Sequence, residues 1–205
     1  MNHSRDGMGE KTGDNGNATE KEPVIEGERR AQKSASCLDD RSFSTRSLDN
    51  FIDLLKTHGV GKVIDVRTVP RSRHNPQFNL DTLPETLKPA RIGYKHMSGL
   101  GGLRHAQRDS PNMGWRNSSF RGFADYMLTE EFEKNLEKLI GFAGRKRICL
   151  MCAEAVPWRC HRSLIADALC VRGIAVGHIT SKSQPQLHKL TPFARVDGTR
   201  ISYPK

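Results

Sequence analysis

The sequence contains no apolar run that approaches the roughly 20 residues needed to cross a bilayer. No apolar leader precedes its 5 cysteines, and an odd number does not suit a framework of disulfides. We therefore expect reduced thiols in a cytoplasmic protein that has no membrane partner. The sequence also lacks internal repeats, and 205 residues with 36% apolar content suit one ordinary domain plus a tail.

Large apolar side chains are scarce in residues 1–40, which are rich in Gly, Asn, Ser, Lys and Glu. Such a segment cannot bury enough surface to offset the entropy of ordering the chain. We therefore expect a disordered tail over 1–40 and a single domain over 41–205. Because the tail carries 6 Lys and Arg against 9 Asp and Glu, the formal net charge of +10 comes from the domain. A basic domain favours polyanions such as nucleic acid, although a basic surface without a dedicated partner has the same composition.

Helical and strand patterns alternate from about Ser44 onward. The apolar spacing in residues 48–55 predicts an amphipathic helix with Ser47 as its N-cap and Gly59 as its stop. Further helices are predicted to begin at Asp81 or Thr82, to cover 120–128, to begin after Thr129 and to cover 161–172. Strands are predicted over 62–67, 92–97, 147–152 and 174–179, and a terminal hairpin around Asp197 and Gly198. This alternation predicts an α/β fold with three layers, in which a mostly parallel sheet carries helices on both faces.

Reactive side chains are concentrated in residues 147–172, RICLMCAEAVPWRCHRSLIADALCVR. An apolar strand leads there into a loop and then into a helix, whose N-terminus attracts anions and thiolates. Cys160 is the candidate nucleophile, and Glu154 and His161 are the candidate acid and base. Arg159, His161 and Arg162 favour the thiolate of Cys160. The same cysteine also suits a buried, inert position.

Ligands of open α/β sheets bind at the carboxyl ends of the strands, where two predicted strands end in polar residues. Arginine suits bidentate contacts with phosphate, and tryptophan offers a stacking face for a base. If Asp65 and Arg67 pair only with each other, they serve the loop and not a ligand, and the tryptophans suit packing alone equally well. The predicted ligand-binding residues are Asp65, Arg67, Arg71, Arg73, Cys152, Trp158, Arg159, Arg162, Trp115 and Arg116.

Two known site patterns are absent from this loop. Six residues separate Cys152 from Arg159, so the five-residue spacing of the tyrosine-phosphatase loop is missing. Cys149 and Cys152 form one CxxC without a second pair, and their spacing puts them on opposite faces of a strand. Cys152, Cys160 and His161 remain a weaker alternative set of ligands for zinc or iron, since adjacent residues rarely converge. The sequence requires no cofactor.

Four segments, three of them long, resemble the bacterial domain-of-unknown-function family 488 over about residues 44–204. The resemblance implies an intracellular α/β protein whose activity is not established. Members usually open with a strand and a Thr-Ile-Gly-His-Ser turn, whereas this chain has Ser42 and Phe43 where Gly and His are expected. Either the first strand is lost or the upstream reading frame is altered, and both leave a sheet position empty. The segments are VIDVRTVPRSRHNPQFN, LGGLR, GWRNSSFRGFADYM and CAEAVPWRCHRSLIADAL.

The sequence as a whole favours a domain that binds a phosphate-bearing ligand, either a nucleotide or nucleic acid, at the strand ends. Thiol or carboxylate chemistry on that ligand is consistent with the reactive loop. A non-catalytic basic module for nucleic acid and a metal-dependent hydrolase are the alternatives. The oligomeric state cannot be read from the pattern.

Overall fold

The strands and helices alternate along the chain in the computed structural model, which describes residues 34–38, 47–153 and 160–205. The strands are β1 (Ser34–Leu38), β2 (Lys62–Asp65), β3 (Gly93–His96), β4 (Ile148–Met151), β5 (Ala175–Ile179), β6 (Gln186–Leu187), β7 (Arg195–Asp197) and β8 (Arg200–Ser202). The helices are α1 (Leu48–Thr57), α2 (Leu83–Leu87), α3 (Ser118–Tyr126), α4 (Glu130–Ala143) and α5 (Arg162–Cys170). Short 3-10 helices cover Pro76–Phe78, Lys88–Ala90 and Ser98–Leu100.

Six of these strands form one sheet in the order β3-β2-β4-β1-β5-β6. The first five are parallel, and the edge strand β6 runs antiparallel to β5. The remaining two strands, β7 and β8, form the predicted hairpin. The predicted α/β fold with a mostly parallel sheet is therefore confirmed.

Two apolar cores cover the two faces of the sheet, as expected for strands that are buried on both sides. On one face α1 and α2 pack against side chains of β2 and β4, including Val63 and Cys149. On the other face α3, α4 and α5 pack against Ile64, Leu150 and Val176. Cys149 and Cys152 lie in different cores, which confirms their predicted separation. The domain thus has the predicted three layers.

Local signals set the ends of the helices where the sequence predicted them. The Ser47 hydroxyl accepts a hydrogen bond from the amide of Asn50 at the start of α1, and Thr129 accepts one from Phe132 at the start of α4. Gly59 follows α1 with φ 62°, a left-handed conformation that favours glycine. The capping residues therefore confirm these predicted boundaries.

Strand β1 corrects the expectation of an empty sheet position. Ser34–Leu38 pairs in parallel with β4 on one side and with β5 on the other, so it occupies the interior of the sheet. It also falls within the range predicted as a disordered tail, which moves the start of the ordered domain upstream. Ser and Ala are weak strand formers, and the pairing on both sides outweighs their local preference. Residues 1–33 and 39–46, which include Ser42 and Phe43, lie outside the described residues.

None of the helices in the described part of the chain is both long and apolar enough to cross a membrane.

Candidate functional site

A cavity of about 740 Å³ opens beyond the carboxyl ends of two neighbouring strands. Because β2 and β4 are adjacent, with Asp65 beside Met151, the residues that follow both strands meet at one edge of the sheet. This is the position where open α/β sheets bind ligands. The lining residues are Arg67, Thr68, Val69, Gly102, Leu103, Trp115, Asn117, Ser119, Phe120, Cys152, Ala153 and His161.

One wall of the cavity contains a compact group of two thiols and an imidazole, here called the thiol–histidine cluster: Cys152, Cys160 and His161. The Nδ1 atom of His161 lies 3.9 Å from the sulfur of Cys152 and 3.8 Å from that of Cys160. Cys152 and His161 border the cavity, whereas Cys160 lies behind them and is fully buried. The structure therefore brings together the side chains of Cys160 and His161, which as adjacent residues were expected to point in different directions.

The environment of Cys160 favours a negative charge on its sulfur. Burial alone raises the pKa of this thiol, but the hydrogen bond from Cys152, the charge of Arg162 and the nearby His161 outweigh it. The pKa of Cys160 is therefore held well below its ordinary value. The Nε atom of Arg162 donates to the sulfur over 3.1 Å, and the backbone amide of Arg162, at the start of α5, lies 3.5 Å from it.

His161 is held closely but has an unused nitrogen. Its side chain is only 9% exposed, and its Nε2 atom is buried without a hydrogen-bond partner among the described residues. The backbone of Gly102 approaches the ring so closely that a Cβ atom there would lie 2.4 Å from Nδ1. Since a buried polar atom normally has a partner, Nε2 beside a cavity suggests that a ligand or water supplies it.

Two helix N-termini and an aromatic wall complete the cavity. Asn117 caps α3 by accepting hydrogen bonds from the amides of Ser119 and Phe120, and His161 precedes α5. Both helices direct the positive ends of their dipoles to this region. The ring of Trp115 packs 4.8 Å from that of Phe120, and its Nε1 atom donates to no acceptor within the described ranges.

Asp65 and Arg67 form a closed ion pair beside this cavity. The carboxylate of Asp65 is fully buried, and it accepts hydrogen bonds from the Arg67 guanidinium at 2.6–3.1 Å and from the Tyr94 hydroxyl at 2.6 Å. Arg67 also donates to the carbonyl of Phe78. Burial lowers the pKa of Arg67, but the hydrogen bond and charge of Asp65 outweigh this and raise it. The pair therefore matches the alternative of a local structural contact, although Arg67 still borders the cavity.

The other predicted ligand-binding residues lie in three different settings. Arg71, Arg73 and Arg116 are exposed and do not line the cavity. Arg162 is fully buried and faces the sulfur of Cys160 instead of the cavity. Of the residues predicted from the reactive loop, Glu154, Trp158 and Arg159 lie outside the described residues.

Sequence reasoning overlooked most of the small and polar cavity residues. The Gly-rich segment 98–119 is long enough to indicate a functional loop, and it supplies Gly102, Leu103 and Asn117. Apart from Trp115, which was predicted, these residues gave no individual signal, because Gly102 matters only through its distance from His161. An Asn before a helix is explained by capping alone.

A second buried polar cluster was also not predicted. The carboxylate of Asp167 accepts hydrogen bonds from the hydroxyls of Thr191 and Tyr203, and it lies 2.8 Å from Nε2 of His188. His188 in turn lies 2.9 Å from His178. The separation of His188 from Asp167 along the chain, 21 residues, explains why no local pattern indicated the contact.

The fold and the cavity together define a class: a three-layer α/β domain with a ligand-sized cavity and a thiol–histidine cluster at the strand ends. The family model described as "Domain of unknown function DUF488" matches residues 47–169. The chain belongs to this family. No curated protein and no solved structure matches the chain.

Proposed function

We propose that this domain binds a small phosphate-bearing ligand, of the nucleotide class, in the cavity beside the thiol–histidine cluster. The observation that carries the proposal is His161, a buried side chain at the cavity whose Nε2 atom has no partner within the described residues. A bound ligand would satisfy this atom. The cavity volume of about 740 Å³ lies in the range of small-molecule sites.

The phosphate end of the ligand is proposed to lie near the starts of α3 and α5. Helix dipoles at such positions favour negative charge, and Ser119 and His161 bring these two starts to the cavity wall. Arg67 also borders the cavity, but its ion pair with the buried carboxylate of Asp65 leaves it little net charge to offer a phosphate.

The base of the nucleotide is proposed to stack on Trp115. This indole borders the cavity, packs against Phe120 and Phe193, and has a buried N–H that donates to no described acceptor. Stacking of a base on an aromatic side chain contributes about 1–3 kcal/mol. Trp115 therefore supports a ligand with a planar ring over a simple inorganic anion.

The thiol–histidine cluster is proposed to supply the reactive groups. Cys152 and His161 meet the ligand directly, whereas Cys160 is fully buried and acts on it through these two neighbours. This arrangement changes the predicted role of Cys160 from a nucleophile that contacts the ligand to an anionic partner behind the wall. The role of Glu154 as acid or base stays a prediction.

Calorimetric titration of the full chain with AMP, ATP, inorganic phosphate and adenosine tests the proposal. We expect the two nucleotides to bind more tightly than adenosine, because the helix N-termini act on phosphate. Trp115→Leu should weaken nucleotide binding by about 10-fold or more, which corresponds to the loss of one stacking contact. His161→Gln should weaken it as well.

The matched control is His74→Gln, since His74 is exposed and does not line the cavity. This variant should bind nucleotides as the wild type does. If adenosine binds as well as AMP, or if Trp115→Leu leaves the affinity unchanged, the proposed site is wrong.

A second candidate, binding of single-stranded nucleic acid, is favoured by one observation. Arg71, Arg73 and Arg116 are exposed and outside the cavity, and no carboxylate of the described residues pairs with them. A longer polyanion could contact these side chains, and its affinity would fall as salt rises. Titration with a labelled oligonucleotide at two salt concentrations checks this, with the triple Arg→Gln variant as comparison. An oligonucleotide affinity that changes neither with salt nor with the substitutions would contradict this second candidate function.

A further inference from the structure

We propose that the thiol–histidine cluster is a zinc site in which Cys152 Sγ, Cys160 Sγ and His161 Nδ1 bind one Zn²⁺. The fourth position would face the cavity. This inference deepens the proposed function and rests on it only for the identity of the fourth ligand, a water molecule or an anionic oxygen of the bound molecule.

The distances between the donor atoms are already close to the edge lengths of a coordination tetrahedron. Zn–S bonds of about 2.3 Å and Zn–N bonds of about 2.1 Å place sulfur and nitrogen ligands about 3.6 Å apart and two sulfurs about 3.8 Å apart. In the structure Nδ1 of His161 is 3.9 and 3.8 Å from the two sulfurs, and all three atoms lie within 4.8 Å of one another. Small side-chain rotations therefore suffice to complete the site.

The three residues come from rigid parts of the fold. Cys152 directly follows β4, and Cys160 and His161 directly precede α5, so a strand and a helix fix their separation. Gly102 packs against the His161 ring and limits its rotation. Preorganised ligands of this kind suit a metal, since little conformational entropy is lost when it binds.

The neighbours of the sulfurs suit the outer shell of a metal site. Arg162 donates from Nε to the sulfur of Cys160 over 3.1 Å, which fixes the direction of that sulfur. Two thiolates and one neutral imidazole balance the charge of Zn²⁺, so the ion and its three ligands are together neutral, and each of these ligands is at most 9% exposed. Soft sulfur with imidazole is a donor set that selects zinc over calcium or magnesium.

Ligation through Nδ1 also accounts for the unused nitrogen of His161. A neutral imidazole that binds a metal through Nδ1 carries its proton on Nε2. The Nε2 atom has no acceptor within the described residues, and the side chain borders the cavity. It could therefore donate to an anionic group in the cavity. Three protein ligands with one open position is the pattern of catalytic zinc sites, in which the metal activates water.

The first experiment measures metal binding by the full chain, purified without a histidine tag, stripped of metal and kept reduced. Titration with Zn²⁺ against a chromophoric chelator should give one tight site per chain. Titration with Co²⁺ should give the intense visible bands of tetrahedral cobalt and a thiolate-to-cobalt charge-transfer band. Less than about 0.1 equivalent of bound metal, or an octahedral cobalt spectrum, would overturn the proposal.

Single substitutions assign the ligands. Cys152→Ser, Cys160→Ser and His161→Gln should each lose more than the 10- to 100-fold in zinc affinity that outer-shell substitutions typically cost. The matched control is Cys170→Ser, which keeps the same chemistry at a half-buried position outside the cluster. Circular dichroism checks that each variant folds. If Cys160→Ser does not fold, the other two variants still test the assignment of the zinc ligands. Equal zinc affinity in the control and in these two variants would overturn the assignment.

A glycine pair tests the geometry without changing a ligand. Gly102→Ala should weaken zinc binding because its Cβ would displace the His161 ring, whereas Gly141→Ala should not, since its Cβ would meet nothing within 4 Å. Nucleotide titration of the metal-free protein and of the zinc-loaded protein separates the two proposals. Nucleotide binding without any zinc site would overturn this inference alone, and zinc binding without nucleotide binding would overturn only the proposed function.

Discussion

Two polar clusters lie at the carboxyl edge of the same sheet, one at the end of β2 and one after β4, and they differ in how completely their polar atoms are hydrogen-bonded. In the cluster of Asp65, Arg67 and Tyr94, both carboxylate oxygens accept hydrogen bonds and the guanidinium also reaches a backbone carbonyl. In the thiol–histidine cluster, Nε2 of His161 has no partner in the described part of the chain. A search for charged residues alone would have selected the cluster of Asp65, Arg67 and Tyr94 as the ligand-binding site.

The comparison shows that unsatisfied bonding capacity distinguishes a site better than charge does. A buried ion pair whose partners are saturated has little left to offer a ligand, and removing one partner leaves an uncompensated buried charge. A cluster with an unused nitrogen beside a cavity can gain a partner from outside. Substitutions in the closed cluster should therefore cost stability, and substitutions in the open cluster should cost binding.

The largest expected effect is that of Asp65→Ala. This change leaves the buried guanidinium of Arg67 without its carboxylate and should lower the free energy of unfolding by about 3–5 kcal/mol. Urea denaturation measures it, with Asp53→Ala as the matched control. Asp53 pairs with Lys182 at the surface, so its loss should cost about 1 kcal/mol or less. Equal costs for the two variants would remove the distinction between a closed cluster and an ordinary surface pair.

Tyr94→Phe should have the next largest effect. It deletes the hydroxyl that donates to the Asp65 carboxylate over 2.6 Å, and a hydrogen bond to a charged group contributes about 1.5–3 kcal/mol. Tyr126→Phe is the matched control, since its hydroxyl donates to the neutral carbonyl of Gly99 and should contribute about 0.5–1.5 kcal/mol. Urea denaturation curves of both variants measure the two losses in free energy of unfolding. A smaller loss for Tyr94→Phe than for Tyr126→Phe would contradict the prediction.

Gly102→Ala should affect both stability and binding. The new Cβ would lie 2.4 Å from His161 Nδ1, so the ring or the loop must move, at a cost of about 1–3 kcal/mol. The control is Gly141→Ala, which lies within α4 in open space and should raise stability by about 0.5–1 kcal/mol. Thermal melting with and without Zn²⁺ measures both. An unchanged melting temperature for Gly102→Ala would show that the backbone of residue 102 does not pack tightly against the His161 ring.

His161→Gln should have the smallest effect on stability. The described contacts of its ring nitrogens are the long ones to the two sulfurs, so the free energy of unfolding should fall by about 1 kcal/mol or less. The loss of nucleotide and zinc binding should be large by comparison. Urea denaturation beside the two titrations checks this, and a cost above about 3 kcal/mol with intact binding would place His161 in the closed class.

The sequence predicted the regular elements well, because their signals are local. Apolar spacing and capping residues such as Ser47 and Thr129 act within a single turn, and the observed α1 and α4 begin directly after them. Strand β1 escaped prediction because its residues carry a weak local preference and are held by pairing with β4 and β5. Those partners lie more than 100 residues further along the chain.

The sequence by itself determined the layers of the fold, the family and the loop where reactive side chains gather. Helical and strand periodicity depend on neighbours within a few residues, so these features needed no coordinates. Only the tertiary structure decided which polar groups are already satisfied. Asp65 and Tyr94, 29 residues apart, close one cluster, and Gly102 approaches His161 from a distant loop. Satisfaction of a polar atom depends on distances between remote segments, which no local pattern records.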